Sequence, residues 1–192
     1  MFRLACVSVG VLLLVGALVA ASSAPLHFSL MDAQGKTHSS DELQNHQATV
    51  LVFVATDCPN ANTYAPLLAR MYREYSARGV LFLAVYSDPD DTAAKVQKHD
   101  AEYQIAYPGL LDPTQTLARQ TGARSTPEAV ILAPDGQELY RGRVDDRFMD
   151  YGKTRFQPAH QDLRDALDQI LRGEPVKNPT TRVLGCAIPG VN

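Results

Sequence analysis

Residues 48–66 read ATVLVFVATDCPNANTYAP, a long apolar segment followed by a cysteine and a helix-like pattern. Its first eight residues, 48–55, are almost all apolar and rich in β-branched side chains, which predicts a central strand buried on both faces. Cys58 follows at the point where the strand gives way to a helix. Backbone N–H groups and the positive end of a helix dipole stabilise a thiolate at such a junction. The second cysteine of a dithiol C-x-x-C motif would stand at position 61, which is Ala61. The stretch therefore predicts a redox site with one thiol.

The segments outside this stretch alternate between strand-like and helix-like patterns. Residues 80–86 form a second predicted buried strand, and apolar residues recur every three or four positions after residue 62, which predicts a helix that Pro66 should kink. The other predicted elements are a strand or hairpin at 26–30, a short helical turn at 40–43, helices at 92–103, 114–120 and 162–171, and a hairpin of strands at 129–132 and 138–143. This order predicts an α/β domain with a central mixed β-sheet flanked by helices on both faces.

The first two dozen residues are not expected to belong to the fold. Arg3, an apolar run at 7–19 and small residues at 20–24 predict a secretory signal peptide over residues 1–21, with cleavage as late as residue 24. The apolar run is shorter than the ~20 residues that a membrane helix needs, so a retained membrane anchor is the less favoured alternative. After cleavage no stable membrane insertion is expected. Cys6 would leave with the signal. We expect a periplasmic or secreted protein.

The remaining chain suits one domain at 26–172 and an irregular, Pro-punctuated tail at 173–192. The net charge of the whole sequence is −3, with acids and bases interspersed, so nothing indicates a nucleic-acid partner. Of the three cysteines, export would leave Cys58 and Cys186 in a compartment where disulfides persist.

Cys58 and the pair Ala65-Pro66 keep the spacing found between the first active-site cysteine and an Ala-Pro pair in thioredoxins. On these residues the chain resembles the thioredoxin-fold superfamily, and more narrowly the periplasmic redoxins grouped with alkyl hydroperoxide reductase and thiol-specific antioxidant proteins. The resemblance covers residues 26–171 and implies a thioredoxin-like fold. It also implies that Thr126-Pro127 forms a cis-proline loop facing the cysteine, where residue 126 could hydrogen-bond an extended substrate chain.

The resemblance further implies a thiol-dependent oxidoreductase of the antioxidant or redoxin type. Its substrate would be a thiol or disulfide of a protein or a small molecule, its electron donor is unidentified, and no cofactor is expected. Asp57 would either cap the helix or act near the substrate as a proton acceptor or metal ligand. An ionised Asp57 would also oppose a thiolate at Cys58 by like-charge repulsion.

A thiol peroxidase is the less favoured alternative. Peroxiredoxins place Thr or Ser three residues before the cysteine and Arg near the later strand, so that both side chains bind the peroxide oxygens. This chain has Ala55 at the first position, with Thr56 one place late, and Pro127 at the second. Arg124 is near enough in sequence to compensate, and it is a candidate substrate-positioning residue.

A thiol-disulfide reaction needs a second thiol to resolve the mixed disulfide. Ala61 cannot do this, whereas Cys186 lies in an apolar island at 183–189 that suits a segment docked on the domain. Cys58 and Cys186 could form a disulfide, act as attacking and resolving thiols, or bind one metal together. Cys186 could instead serve a partner chain or stay unpaired. A pair is the more economical interpretation in an exported protein.

The alternative from another class is a non-catalytic module that handles copper. Soft thiolates suit Cu(I), and exported thioredoxin-like copper chaperones use two cysteines and a histidine. Their C-x-x-x-C motif is absent, because Asn62 stands four residues after Cys58. The histidines lack ligand spacing and are expected to be surface or capping residues; they are His27, His38, His46, His99 and His160.

Residues 141–155 form a polar run of acids, bases and aromatics that is too long for a simple turn. Loops of this length are often functional or tied down by their own contacts. Arg143 and Arg147 could bind an anion or carboxylate of a substrate near the cis-proline loop. The alternating charges can also satisfy one another, and this favours an internal salt-bridge network.

Overall fold

The computed structural model describes residues 26–150 and 152–191. The predicted signal peptide and Cys6 lie outside these residues. Within the described part of the chain, no helix combines the length and the apolar character needed to cross a membrane.

A five-stranded mixed sheet forms the centre of the fold. From one edge to the other its strands are β5 (Gly109–Leu111), β4 (Val80–Tyr86), β3 (Ala48–Val54), β7 (Glu128–Leu132) and β8 (Glu138–Gly142). β3 pairs with β4 in parallel and with β7 in antiparallel, so that Val52 lies opposite both Ala84 and Ala129. The apolar run after residue 47 is therefore the central strand, as predicted.

Helices cover both faces of this sheet. They are α1 (Pro59–Ser76), α2 (Ala93–Tyr103), α3 (Thr116–Thr121) and α4 (Asp162–Leu171). Successive residues of β3 point to opposite faces. Val50 and Val52 pack in an apolar cluster with buried residues of α1, α2 and α4, whereas Leu51 and Phe53 pack in a second cluster with α3. The predicted α/β arrangement is confirmed.

Short antiparallel pairs surround the main sheet. A hairpin of β1 (Ser29–Met31) and β2 (Thr37–Ser39) precedes a 3-10 helix at Ser40–Asn45, β9 (Phe148–Asp150) pairs with β10 (Lys153–Thr154), and β6 (Ser125–Thr126) pairs with β11 (Cys186–Ala187). The last pair joins the C-terminal tail to the domain.

The bounds of two helices differ from the predicted ones. α1 begins at Pro59 rather than at residue 62, because the fixed φ angle of proline suits the first helical position. It continues as one α-helix through Pro66 to Ser76. α3 begins at Thr116 rather than at residue 114. The buried carboxylate of Asp112 accepts the backbone N–H of Ala118 at 3.0 Å and so caps the helix from a position further upstream.

Candidate active site

Cys58 ends the loop that follows β3, and it is the N-cap of α1. Its Sγ accepts the N–H of Ala61 at 3.4 Å, one of the N–H groups that a helix leaves without an internal partner. The side chain is only 2% exposed. The sulfur therefore lies at the positive end of the helix dipole, where negative charge on it is favoured.

The peptide bond between Thr126 and Pro127 is cis, as the resemblance implies. The carbonyl oxygen of Thr126 lies 3.2 Å from Sγ of Cys58. The buried carboxylate of Glu128 accepts the backbone N–H groups of Arg124 and Ser125 at 2.9 and 3.1 Å and holds the loop in place. The loop thus presents the backbone of residue 126 to the sulfur.

Cys186 forms a disulfide with Cys58, and their Cα atoms are 6.1 Å apart. It reaches this position because β11 pairs with β6 in antiparallel, with Cys186 opposite Thr126 and Ala187 opposite Ser125. Of the arrangements considered for Cys186, the structure shows the intrachain disulfide. Cys186 stays partly exposed, whereas Cys58 is buried.

The tail is held on both sides of Cys186. Before it, Arg141 of β8 donates its N–H to the carbonyl of Pro179 at 2.8 Å and accepts the N–H of Thr181 at 3.1 Å. After it, the N–H of Ile188 donates to the carbonyl of Arg124 at 2.9 Å, and the Ile188 side chain is buried. The apolar island is therefore docked on the domain, as its composition predicts.

A cleft of about 190 Å³ opens beside the disulfide. It is lined by the end of β3, the loop after β4, the cis-proline loop and the tail: Val54, Ala55, Asp57, Ser87, Asp88, Thr126, Cys186, Ala187, Ile188 and Pro189. Asp57 is exposed at this cleft. The predicted active-site residues Cys58, Cys186, Thr126 and Asp57 thus come together around one opening.

The two residues considered for binding peroxide are Thr56 and Arg124. The hydroxyl of Thr56 donates to Asp91 at 2.5 Å, and burial raises the pKa of that aspartate. Arg124 is exposed, and its guanidinium makes no ion pair with any residue in the described part of the chain. In the described residues neither side chain donates a hydrogen bond to Cys58, and peroxide reduction stays a prediction.

The polar run after β8 forms internal ion pairs. Arg143 donates from Nε and Nη2 to the carboxylate of Asp162 at 2.8 and 3.3 Å, and these hydrogen bonds raise the pKa of its guanidinium. Arg147 lies 3.6 Å from the carboxylate of Asp145, which also accepts the hydroxyl of Tyr64. The contacts agree with the predicted salt-bridge network. They leave Arg143 and Arg147 engaged with protein carboxylates, and a substrate would have to compete for them.

Two of the histidines do not occupy the predicted surface positions. His38 and His99 are buried. His38 contacts Asp32 and Glu42 at 3.1 and 3.0 Å, and both ring nitrogens of His99 also have partners, on Tyr86 and Asn62 at 2.9 and 2.8 Å. Burial becomes possible because each ring nitrogen has a hydrogen-bond partner. In residues 26–150 and 152–191, no group of three or more His, Cys, Asp or Glu side chains is arranged to hold a metal. Copper handling remains an untested prediction.

Three residues at the site were not predicted. Gly185 lies against the backbone of Thr126, Ile188 fills an apolar position, and Gln115 donates from Nε2 to the carbonyl of Pro189. The only sequence signal for the first two was their membership of the apolar island. Gln115 gave none, because it precedes a helix far from the tail in sequence.

The comparisons with known proteins agree with this fold. The model of the AhpC/TSA family matches residues 21–138. The chain is 25% identical over 120 residues to the thiol-disulfide oxidoreductase ResA of Halalkalibacterium halodurans. The alignment covers 62% of this chain and 66% of that protein. It is 24% identical over 111 residues to the protein of that name from Bacillus anthracis, in an alignment that covers 58% of this chain and 62% of that relative. Neither alignment reaches two thirds of the relative's own length.

Solved structures extend the similarity over more of the chain. A hypothetical protein from Sinorhizobium meliloti superposes with a TM-score of 0.76 at 27% identity, covering 88% of this chain and 94% of that one. An uncharacterized conserved protein from Geobacillus kaustophilus gives 0.77 at 27% identity, with coverage of 90% and 93%. A putative thiol:disulfide interchange protein DsbE from Chlorobium tepidum has the same fold, with a TM-score of 0.61 at 20% identity over 77% and 94% of the two chains. Because the family model matches more than half of its residues, the chain belongs to the AhpC/TSA family, and it has the thioredoxin fold.

Proposed function

We propose that this protein is an exported thiol-disulfide oxidoreductase whose redox pair is Cys58 and Cys186. The observation that carries the proposal is the disulfide that joins Cys58, at the N-terminus of α1, to the tail beside Pro127. The relatives named thiol-disulfide oxidoreductase support the reaction class. The predicted signal peptide supports export.

Reduction begins at the more exposed sulfur. Cys58 is buried beneath the tail, whereas Cys186 is partly exposed, so an incoming thiolate attacks Sγ of Cys186. The S–S bond breaks, and its electron pair leaves on Sγ of Cys58, where the Ala61 N–H and the helix dipole stabilise the thiolate. A second thiolate then attacks the external sulfur of this mixed disulfide, which forms an external disulfide and releases Cys186 as a thiolate. The protein has gained two electrons and holds a dithiol.

The reduced protein acts on a substrate disulfide through Cys58. Its thiolate bonds to one substrate sulfur, and the other substrate sulfur leaves as a thiolate. Cys186 then attacks Sγ of Cys58, which restores the internal disulfide and releases the second substrate thiol. The same steps in reverse oxidise a substrate dithiol, so the external donor or acceptor sets the direction.

The surrounding residues have supporting roles in this proposal. The backbone of Thr126, set by Pro127, positions the substrate chain beside the sulfur. Asp57 is the candidate acceptor for the proton of an attacking thiol. Arg143 and Arg147 shape the neighbouring loop through their ion pairs.

The test uses a disulfide-bonded protein substrate such as insulin, with dithiothreitol as the electron source. Cys186→Ser should accumulate a mixed disulfide between Cys58 and the substrate, because the resolving thiol is missing. Cys58→Ser should form none and should lose catalysis. These variants are compared in the uncleaved chain, where Cys6→Ser changes only the cysteine of the predicted signal; it is the control and should match the parent. Equal rates of disulfide reduction for the parent and Cys58→Ser would sink the proposal.

A further inference from the structure

Residues 185–188 lie as an extended chain along the strand edge that precedes the cis-proline. Cys186 and Ala187 pair with Thr126 and Ser125, and the N–H of Ile188 donates to the carbonyl of Arg124 at 2.9 Å. In the proposed reaction a substrate sulfur must reach the place that Cys186 occupies. The tail and the substrate therefore require the same edge.

We propose that this segment occupies the binding site of a protein partner and makes the contacts that the partner makes when it binds. The partner is a polypeptide that presents its reactive cysteine in an extended segment, with glycine immediately before the cysteine and a branched aliphatic residue two positions after it. The inference rests on the proposed function and names the substrate class of the same site.

The requirement for glycine comes from the close approach of the two backbones. A Cβ atom added at Gly185 would collide with the carbonyl group of Thr126. The colliding atoms belong to the backbone of β6, next to the cis-proline loop, so no side-chain rotation can remove the clash. Any larger residue at this position would push the following cysteine away from Cys58.

The requirement for an aliphatic residue comes from the position of Ile188. Its side chain is 3% exposed, and it belongs to the apolar cluster that includes Leu117 and Ala118 of α3. In an extended chain, residues two apart point to the same side, so a partner bonded to Cys58 places its own second residue over this position. Ala187, between the two, is exposed and imposes no such requirement.

A third contact favours a polypeptide over a small disulfide. Gln115 is buried, and its Nε2 donates to the backbone carbonyls of Ser87, at 3.2 Å, and Pro189. When the tail leaves, this donor faces the carbonyl that a partner chain carries three residues after its cysteine. A small-molecule disulfide has no group at that distance, and it also leaves the Ile188 position empty.

The bond changes follow from this geometry. The Cys58 thiolate attacks the partner's cysteine sulfur within a disulfide, the partner's other sulfur leaves as a thiolate, and a mixed disulfide forms in register with β6. The thiol of Cys186, tethered to the domain by the contacts of Arg141, then displaces the partner from Cys58. Substrate and resolving thiol thus occupy the edge in turn.

The experiment uses the full-length, reduced protein carrying Cys6→Ser and Cys186→Ser, in which Cys58 is the one remaining thiol, and peptides with the sequence of residues 182–191. Each peptide carries its cysteine as a mixed disulfide with thionitrobenzoate, whose release is followed by absorbance. The set comprises the parent peptide, Gly185→Val, Ile188→Ser and, as the matched control at the exposed position, Ala187→Ser. Glutathione joined to thionitrobenzoate by the same kind of disulfide represents small-molecule substrates.

We expect Gly185→Val, Ile188→Ser and the glutathione derivative to react at least about ten-fold more slowly than the parent peptide. Ala187→Ser should stay within about two-fold, since that side chain is exposed and is not buried by the domain. Rates within about two-fold for all five compounds would overturn the inference and leave the redox role of Cys58 intact. No reaction with any compound would instead remove the proposed function.

A second protein variant tests whether tail and partner share the edge. Ile188→Asp, added to Cys186→Ser in the full chain, places a charge at a buried position and should undock the tail. The parent peptide should then react at least about three-fold faster, with the same order among peptides, because an intramolecular competitor is gone. An unchanged rate would show that the two do not compete, and it would overturn the inference.

Discussion

Breaking the bond between Cys58 and Cys186 should lower the free energy of unfolding by about 3–5 kcal/mol. The two cysteines are 128 residues apart in sequence. For a loop of that length the chain-entropy relation gives a restriction of about 17 cal/mol/K in the unfolded state, or about 5 kcal/mol at 25 °C. Residual structure in the unfolded chain reduces this value, which sets the lower end of the range.

The folded state should change little when the bond opens. The contacts of Arg141 with Pro179 and Thr181, and the burial of Ile188, do not depend on the disulfide. Nearly all of the effect therefore comes from the unfolded chain. Reduction should shift the midpoint of urea unfolding and preserve the far-ultraviolet circular dichroism of the native protein.

The assay compares urea unfolding of the oxidised parent, the parent in dithiothreitol, and Cys58→Ser, Cys186→Ser and the double variant in the oxidised buffer. The last four samples should agree within about 1 kcal/mol, because all of them lack the same cross-link. Cys6→Ser should match the oxidised parent. An unfolding free energy that is equal or higher after reduction would show that the disulfide does not stabilise the folded protein.

Three further predictions concern other parts of the molecule. Burial raises the pKa of Asp100 from 3.8 to about 6, so ionisation of this group lowers the free energy of unfolding as the pH rises through that interval. Asp100→Asn should therefore stabilise the protein by about 1–2 kcal/mol at about pH 8 and by little at about pH 3.5. The expected gain is set below the full value because the carboxyl group is partly exposed. Tyr64→Phe leaves the buried carboxylate of Asp145 without one donor, and urea unfolding should show a loss of about 1–3 kcal/mol. Brief treatment of the oxidised protein with glutathione, followed by alkylation and peptide mapping, should place glutathione on Cys186 and the alkyl group on Cys58, and the opposite labels would contradict attack at the exposed sulfur.

The main elements were predictable because their signals are local. The apolar run at 48–54 is long enough to specify a strand buried on both faces, and the spacing from Cys58 to Pro66 carries the resemblance that placed Thr126-Pro127 opposite the thiol. Cys58 was correctly placed at the start of a helix for the same reason. Such features depend on neighbouring residues, and distant contacts do not reverse them.

The pairing of β6 with β11 was not predictable, because it exists only through distant contacts. β6 and β11 have two residues each, too few for an alternating pattern, and they come from segments about sixty residues apart in sequence. The burial of His99 likewise depends on partners in β4 and α1. The apolar island around Cys186 indicated docking, yet its docking place follows from the backbone of Thr126 and could not be read from the tail itself.

In the proposed function Cys58 and Cys186 form one reversible redox pair, and thiol mapping across a graded series of glutathione buffers measures whether they do. Samples at equilibrium are quenched with an alkylating agent, and mass spectrometry of the peptides reports the state of each cysteine, with Cys6 mapped separately. Cys58 and Cys186 should become alkylated together, in a single two-electron transition with matching midpoints. Independent midpoints, or a Cys58 that stays alkylated in buffers that oxidise Cys186, would rule out a shared redox pair.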